Sequence, residues 1–594
     1  MKKWISVLLI GCILTLTIMT DMVSGNDEQV YHFYNIDSTV IGNDKDLHCV
    51  MIWVDDIEHA SIEEECERIL GYSWDNVIQD ERKMHSKALE RLTLSTSNGC
   101  TAYGFFDDEW FVENDELHKK IDDYVAVQRL LSKERYLSSN TMFVEKTGIE
   151  NAVLYVSAYS PVIIAELSKA DMDVVRNTKG INQISEIGIS ECICDDNEHL
   201  EIEQPNNRSV TDYLDYINAT GPKSAGLNGS GVKIGLIDAS VVTASGHSEL
   251  SGSSIIPVGT YSSTNGSHSV AMARIICGSS GVAPGCTLYS AELSGPNTEL
   301  SFYINVELLI DQGVNIINCS YGWNRNENYY TNMEKWVDHI AISHSVSFVK
   351  SAGNGDPDGD SITSPGLSYN AITVGNAKYD TDEMNNFSLK KYGSGCRKPD
   401  VAAPGDGVLS SSGTSAAAAV TSGTIALLLQ AKPSIKNSAA AVKAVLMAGC
   451  DRYVGGGIFI SGHKDGQGAG LINCSSSLGI LSLNHFTYNY VSANGLLTYN
   501  APVASTLTLH SVVFTGMKMN SVPFGSSPGT VTNYTMATTA FYLANGTGGS
   551  LTSDTGGISS VRTLRYPLSG TYLTLKLNVT NLPVSGMVYA YAWR

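Results

Sequence analysis

Three residues in separate parts of the chain have the side-chain types that covalent acyl transfer requires. Ser415 follows Gly413-Thr414 and opens a run of small and apolar residues that predicts a buried helix. A serine at a helix N-terminus lies beside unpaired backbone N–H groups, which can bind the negative charge formed during acyl transfer. In isolation, however, such a serine is more often a simple helix cap.

An acid and a base of the required types lie upstream of that serine. Asp238 ends an apolar run of strand length, and parallel strands present functional residues at their carboxyl ends. His268 opens a stretch of small and apolar residues that predicts a helix packed against a sheet. Taken singly, the aspartate reads as a turn former and the histidine as a structural residue. Together the three residues have the side-chain types that a catalytic triad needs, in which the acid orients the base and the base activates the serine.

The sequence from about residue 210 to residue 475 resembles the subtilisin-like serine peptidases, or subtilases. Six ordered segments carry the resemblance, and they are residues 232–240, 268–284, 316–322, 348–354, 398–405 and 468–473. The resemblance implies an α/β core with a parallel sheet and an Asp238–His268–Ser415 triad. It also implies an oxyanion hole formed by Asn354 and the backbone N–H of Ser415. The pocket for the side chain before the cut bond would be flanked by Ser320, Tyr321, Gly322, Ala352 and Gly353.

The chain departs from the family pattern beside the acid, the base and the nucleophile. Ser269-Val270 stands where subtilases usually have Gly-Thr after the histidine, and Ala239-Ser240 follows the acid in place of Thr-Gly or Ser-Gly. Ala419 replaces a proline shortly after the nucleophile. These departures leave a second hypothesis open, namely a catalytically silent subtilase-like protein that serves in binding or adhesion.

The N-terminus and the charge distribution predict an exported protein with a separate acidic segment. Residues 1–25 have a basic start, a short apolar run and small residues at their end, as in a secretory signal peptide. After its removal we expect no membrane span, and we expect a secreted or cell-surface location in a bacterial context. The net charge of the chain is −21, and the acidic excess lies in residues 26–205. No strongly basic patch for nucleic acid is present in the sequence.

Two αβ patterns in the acidic segment predict an α+β module of ferredoxin-like type. The first is a strand at 47–54 and a helix at 62–70, and the second is two strands, a helix at 170–176 and a last strand at 181–189. Helical material near 80–136 interrupts them. The module resembles, less closely, the inhibitory propeptide of subtilases, whereas the alternative is an unrelated α+β binding domain. Residues 194–208 predict an exposed acidic linker that is suited to proteolytic cutting.

The last part of the chain has a different composition. Residues 479–594 are rich in Ser, Thr, Gly and Tyr, with alternating apolar strands and frequent turns, which predicts an antiparallel β-sandwich accessory domain. The predicted organisation is therefore a signal peptide (1–25), a propeptide with a helical insertion (26–193), a linker (194–208), a catalytic domain (209–478) and the sandwich.

From the sequence we predict a secreted serine endopeptidase that is made as an inactive precursor and processes itself. Its partners are protein or peptide substrates and its own propeptide. The chemistry requires no cofactor, no metal site is assigned, and structural calcium is left open. The substrate preference, the disulfide pairing and the oligomeric state are not predicted.

Overall fold

A computed structural model of the chain describes most of residues 47–491 and the strands that follow. The described residues are 47–95, 108–187, 193–194, 212–295, 297–324, 330–390, 392, 397–450, 452–456, 464–491, 495–502, 508–517, 538–544, 550–554, 561–567, 572–580 and 587–593. The predicted signal peptide and nearly all of the predicted linker lie outside them.

Residues 47–187, which we call the N-terminal module, form a four-stranded sheet with helices. In chain order its elements are β1 (Leu47–Val54), α1 (Ala60–Leu70), α2 (Trp74–Ser95), α3 (Asp108–Thr147), β2 (Val153–Val156), β3 (Val162–Ser168), α4 (Lys169–Arg176) and β4 (Ile181–Glu186). The sheet order is β2-β3-β1-β4, and every paired strand is antiparallel. The helical interruption predicted near 80–136 is longer in the structure, because α2 and α3 extend beyond both limits.

A short strand and two short helices lead from the module to the central part of the chain. They are β5 (Ile193–Cys194), α5 (Asp212–Tyr216) and α6 (Thr220–Ser224). The two helices are separate because the chain between them leaves the helical conformation. Asn218 has a φ of 51°, which is a left-handed conformation that no right-handed helix contains.

The central part is a predominantly parallel α/β structure. Its strands are β6 (Lys233–Asp238), β7 (Ser254–Val258), β8 (Thr287–Glu292), β9 (Ile316–Cys319), β10 (Tyr321–Gly322), β11 (Ser347–Ser351), β12 (Ile372–Lys378), β13 (Glu383–Met384) and β14 (Val401–Pro404). The main sheet has the order β13-β12-β11-β9-β6-β8-β7, and β14 also pairs with β12. All of its pairings are parallel except that of β12 with β13. The predicted parallel-sheet α/β core is therefore confirmed.

Helices surround this sheet, and two of them are completely buried. They are α7 (Ser267–Cys277), α8 (Thr298–Asp311), α9 (Asn332–Ser343), α10 (Thr414–Ala431), α11 (Ala439–Gly449) and α12 (Cys474–Ser482). Every residue of α10 is buried. Within the described part of the chain, α10 alone has the length and apolar composition of a membrane span, and it lies wholly inside the protein.

The C-terminal region contains two four-stranded antiparallel sheets. Its strands are β15 (Phe486–Val491), β16 (Gly495–Pro502), β17 (Thr508–Met517), β18 (Thr538–Ala544), β19 (Ser550–Asp554), β20 (Val561–Pro567), β21 (Tyr572–Thr580) and β22 (Met587–Trp593). The sheet orders are β15-β22-β17-β20 and β16-β21-β18-β19. Strands β17 and β22 lie next to α11 of the central part.

Candidate active site

The acid and the base of the predicted triad are in direct contact. Asp238 is the last residue of β6, and His268 lies in the first turn of α7. The Nδ1 atom of His268 lies 2.9 Å and 3.0 Å from the two carboxylate oxygens of Asp238. Asp238 is only 1% exposed. A buried carboxylate at this distance orients the imidazole ring and directs Nε2 toward the role of proton acceptor.

Two serines that replace family residues complete the surroundings of Asp238. The Ser269 hydroxyl donates a hydrogen bond of 2.7 Å to the Asp238 carboxylate. The Ser240 hydroxyl lies 3.0 Å from that of Ser269 and accepts a 2.8 Å bond from the backbone N–H of Gly266. The two departures from the family pattern therefore contact each other. No signal in the sequence predicts this pairing, because Ser240 and Ser269 are 29 positions apart.

Ser415 lies at the start of the buried helix α10. Its hydroxyl donates a 3.0 Å hydrogen bond to the carbonyl of Ser320, and the Ser320 hydroxyl donates in return to the Ser415 carbonyl at 3.1 Å. The preceding Gly413 has a φ of 134°, which only glycine adopts readily. The structure thus brings the predicted nucleophile against one of the residues predicted to flank the substrate pocket.

Asn354 is connected to the helix start through Thr414. The Asn354 side-chain oxygen accepts 3.0 Å bonds from both the backbone N–H and the hydroxyl of Thr414. The Thr414 hydroxyl also accepts a 3.1 Å bond from the N–H of Gly353. Because the amide oxygen is engaged, the amide nitrogen faces Gly413, where a Cβ atom would lie 3.1 Å from it. This orientation places the amide nitrogen of Asn354 next to the N-terminus of the helix.

The residues predicted to flank the pocket lie at the carboxyl ends of two strands near Ser415. Ser320, Tyr321 and Gly322 follow β9, whereas Ala352 and Gly353 follow β11, and all five are buried. Burial raises the pKa of the neighbouring Cys319 thiol to about 12, so this cysteine is a neutral packing residue and not a competing nucleophile. No group of three or more His, Cys, Asp or Glu side chains that could hold a metal ion occurs among the residues that the structure describes.

A buried ionic group holds the segment that approaches the nucleophile. Asp400 accepts bonds from Lys398 at 2.6 Å and from the backbone N–H of Thr373 at 2.8 Å, and its second oxygen lies 2.8 Å from Lys443. Burial raises the pKa of Asp400, but the two lysines outweigh this effect and hold the pKa below its usual value. The charged carboxylate therefore connects β12 with β14 on the way to α10.

Comparisons with a family model and with known proteins all point to one protein family. The subtilase family model matches residues 229–470. Subtilisin Savinase of Lederbergia lenta is 30% identical over 252 residues, which cover 39% of this chain and 88% of that protein. An alkaline protease of Alkalihalobacillus alcalophilus is 29% identical over 315 residues, which cover 49% of this chain and 75% of the relative. The chain therefore belongs to the subtilase family, as its motifs predict, and it is a subtilisin-like serine protease.

Solved structures resemble it more distantly. Fervidolysin from Fervidobacterium pennivorans has a TM-score of 0.44 at 17% identity, covering 73% of this chain and 75% of its own. The epidermin leader peptide processing serine protease of Staphylococcus aureus has a TM-score of 0.43 at 17% identity, covering 57% and 96%.

The hydrogen bond from Ser269 to Asp238 generates a first prediction. Ser269→Ala removes a donor from a buried carboxylate that orients His268, so we expect kcat for a peptide substrate to fall roughly tenfold with little change in KM. Steady-state kinetics on the purified protein measures this. The control is Ser477→Ala, since Ser477 is buried in α12 and its hydroxyl bonds to none of the described residues. Equal kcat values for the two variants would contradict the prediction.

Proposed function

We propose that the chain is an exported serine endopeptidase that hydrolyses peptide bonds through an acyl-enzyme intermediate on Ser415. His268 removes the proton of the serine hydroxyl and later protonates the leaving amine, while Asp238 stabilises the imidazolium. The observation that carries the proposal is the 2.9 Å contact between His268 Nδ1 and the buried Asp238 carboxylate. The side chains of the chain itself supply all of this chemistry.

Asn354 and the backbone N–H of Ser415 act as the oxyanion hole. The proposal is supported by the hydrogen bonds from Thr414, which fix the Asn354 amide beside the N-terminus of α10. Donors that are fixed before the reaction need no reorganisation when negative charge develops on the carbonyl oxygen. The substrate binds in an extended conformation beside Ser320–Gly322 and forms main-chain hydrogen bonds with it, as an added β-strand does.

We further propose that the N-terminal module is an inhibitory propeptide. The backbone pairing of β5 with β10 supports this role, since Cys194 lies opposite Tyr321 and Ile193 opposite Gly322 in antiparallel register. The segment that follows the module thus pairs with β10, the strand along which we expect the substrate to bind. A product-like tail in this position blocks the cleft until it leaves.

Buried charges hold the module against the protease core. Arg129 of α3 is buried and donates to the carbonyl groups of His344 and Val314 at 2.8–3.1 Å. Glu81 of α2 lies 2.9 Å from Lys432, and both side chains are almost fully buried. Burial raises the pKa of Glu81, but Lys432 outweighs it, so that the pKa lies below the usual value. Removal of one partner from such a buried pair leaves the other as an uncompensated buried charge.

The triad assignment predicts the loss of peptide cleavage in two variants. Ser415→Ala removes the nucleophile and His268→Ala removes the base, so each should reduce kcat on casein by at least about 10⁴-fold. Neither change opens a large cavity, and both variants should retain the circular dichroism spectrum of the wild type. Casein cleavage by Ser415→Ala at the wild-type rate would show that the mechanism is wrong.

The oxyanion-hole assignment predicts a kcat effect that is separate from binding. Asn354→Ala should lower kcat by about 10²–10³-fold with a nearly constant KM, because the donor meets the oxyanion and not the ground-state carbonyl. This range is the one known for a subtilisin that loses its oxyanion-hole asparagine, so it is carried over from a relative. The control is Asn437→Ala. Asn437 ends the helical turn after the C-terminus of α10, whereas Ser415 lies at the N-terminus of that helix. If Asn354→Ala leaves kcat unchanged while the chemical step limits the rate, Asn354 does not act as an oxyanion donor.

The propeptide assignment predicts inhibition in trans. Residues 26–205 added to the mature enzyme should inhibit it at micromolar concentration, and deletion of this segment should yield little active protein. Glu81→Ala in the added module should raise the inhibition constant roughly 100-fold, because Lys432 is left buried without its counter-charge. Arg176→Ala, whose ion pair with Asp173 is exposed, is the matched control and should inhibit like wild type. An active deletion variant that the module does not inhibit would leave the segment as an ordinary binding domain.

A further inference from the structure

The space for the side chain before the cut bond lies between two pieces of main chain. In the proposed function, Asn354 and the N–H of Ser415 fix the carbonyl oxygen of that residue. Its side chain then enters between the Ser320–Gly322 segment and the Ala352–Gly353 segment. These segments follow β9 and β11, which pair directly with each other in the sheet. The atoms that lie between the two segments therefore decide which side chains the enzyme accepts.

The side chain of Thr363 occupies this space. A Cβ atom on Gly322 would stand 2.5 Å from the Thr363 hydroxyl oxygen and 2.7 Å from the Thr363 Cβ atom. A Cβ atom on Gly353 would stand 2.9 Å from the Thr363 methyl carbon. Because the optimal distance between non-bonded carbon atoms is about 3.5–4.0 Å, the threonine leaves no room for even one added carbon on either glycine.

Leu389 fills the same space on the side of Gly353. One of its methyl carbons would lie 2.8 Å from a Cβ atom on Gly353, and the other would lie 3.4 Å from a Cβ atom on Gly355. The backbone N–H of Leu389 donates to the Gly353 carbonyl at 3.0 Å. The side chain belongs to a buried apolar cluster together with Ala352 and Ile362. Leu389 is thus held beside Gly353 through its main chain and through its packing.

Hydrogen bonds hold Thr363 in place as well. Its backbone N–H donates to the Ala352 carbonyl at 3.1 Å, and its hydroxyl oxygen accepts a 3.0 Å bond from the ammonium group of Lys350. The next residue, Ser364, exchanges two backbone hydrogen bonds of 3.0 Å and 3.1 Å with Trp323. Lys350 has no exposed surface, so a rotation of Thr363 out of the space breaks a bond to a charged group that water does not reach. The space is therefore filled by side chains that do not move aside easily.

We propose that the cleft selects glycine or alanine immediately before the cut bond, with Thr363 and Leu389 as the residues that exclude larger side chains. This preference rests on the proposed function and names its substrate class. A hydrogen atom or a methyl group stays at the mouth of the filled space, whereas a branched or aromatic side chain must displace Thr363 or Leu389. Forcing extra atoms into a closely packed site is unfavourable. The exclusion is one of volume, so it acts on apolar, aromatic and charged side chains alike.

The first test uses the mature wild-type enzyme and peptides that differ only in the residue before the cut. That residue is glycine, alanine, valine, leucine or phenylalanine. The kcat/KM of the better of the glycine and alanine peptides should exceed the values for the leucine and phenylalanine peptides by at least about 10-fold, because a few carbon atoms in a closely fitting pocket have effects of this size. A smaller ratio overturns the proposal.

The second test removes the two side chains that fill the space. Thr363→Ser deletes the methyl group that faces Gly353 and keeps the hydroxyl group that binds Lys350, whereas Leu389→Ala deletes the branched end of the leucine. Each variant should raise the kcat/KM of the leucine peptide relative to the alanine peptide by at least about fivefold. A merely structural role would lower both values and leave their ratio unchanged. An unchanged ratio in both variants contradicts the proposal, and where one variant fails to fold the other decides.

Two further variants serve as controls for volume. Thr363→Val keeps the volume of the side chain and loses the hydroxyl group, so it should keep the wild-type preference. Thr424→Ser deletes the same methyl group from a buried threonine of α10 whose hydroxyl bonds to the Val420 carbonyl at 2.9 Å, and it should also keep that preference. Relaxation of the preference in either control to the extent seen in Thr363→Ser would show that volume beside Gly353 does not set it.

Casein digestion separates this proposal from the proposed function. Mass spectrometry of the casein fragments identifies the residue before each cut, and glycine or alanine should precede most of the cuts. An enzyme that cleaves neither casein nor any of the peptides contradicts the catalytic assignment, and the preference with it. An enzyme that cuts casein mainly after large residues leaves the catalytic assignment intact and contradicts only the preference for small residues.

Discussion

The complete burial of α10 is the constraint on which the site depends. Its eighteen residues, Thr414–Ala431, are all buried, and their small side chains let the helix pack closely against the parallel sheet. A helix fixed in this way has one possible position for its N-terminus. Gly413, with its φ of 134°, turns the chain into the helix so that Ser415 meets Ser320 and Thr414 meets Asn354. The proposed nucleophile and the proposed oxyanion donor thus share one rigid support.

The parallel sheet supplies the remaining residues at its carboxyl edge. Asp238 ends β6, Ser320 follows β9, and Gly353 follows β11, and these three strands are neighbours in the sheet. Hydrogen bonds from the Ser269 hydroxyl and from the backbone N–H of Ala239 compensate the Asp238 carboxylate for the water that it loses on burial. The geometry of the acid and the base follows from strand order and burial together.

Much of this arrangement could be predicted from the sequence. The apolar runs that end in Asp238 and in the 316–319 strand have the length of buried strands, and the glycine before Ser415 marks a turn. The residues that tune the site could not be predicted, because each acts through a contact between distant segments. Ser269 reads as a substitution beside His268 until its bond to Asp238 is known. The domain boundaries, the export and the self-processing remain predictions.

Labelling with a fluorophosphonate tests the central claim most directly, because this reagent reacts only with an activated serine. The mature protein would be labelled, digested and analysed by mass spectrometry beside His268→Ala. We expect one label per molecule, located on Ser415, and loss of the label in His268→Ala, where the base is missing. A protein that cleaves peptides but carries the label on another serine, or carries none, would contradict the assignment of Ser415 as the nucleophile.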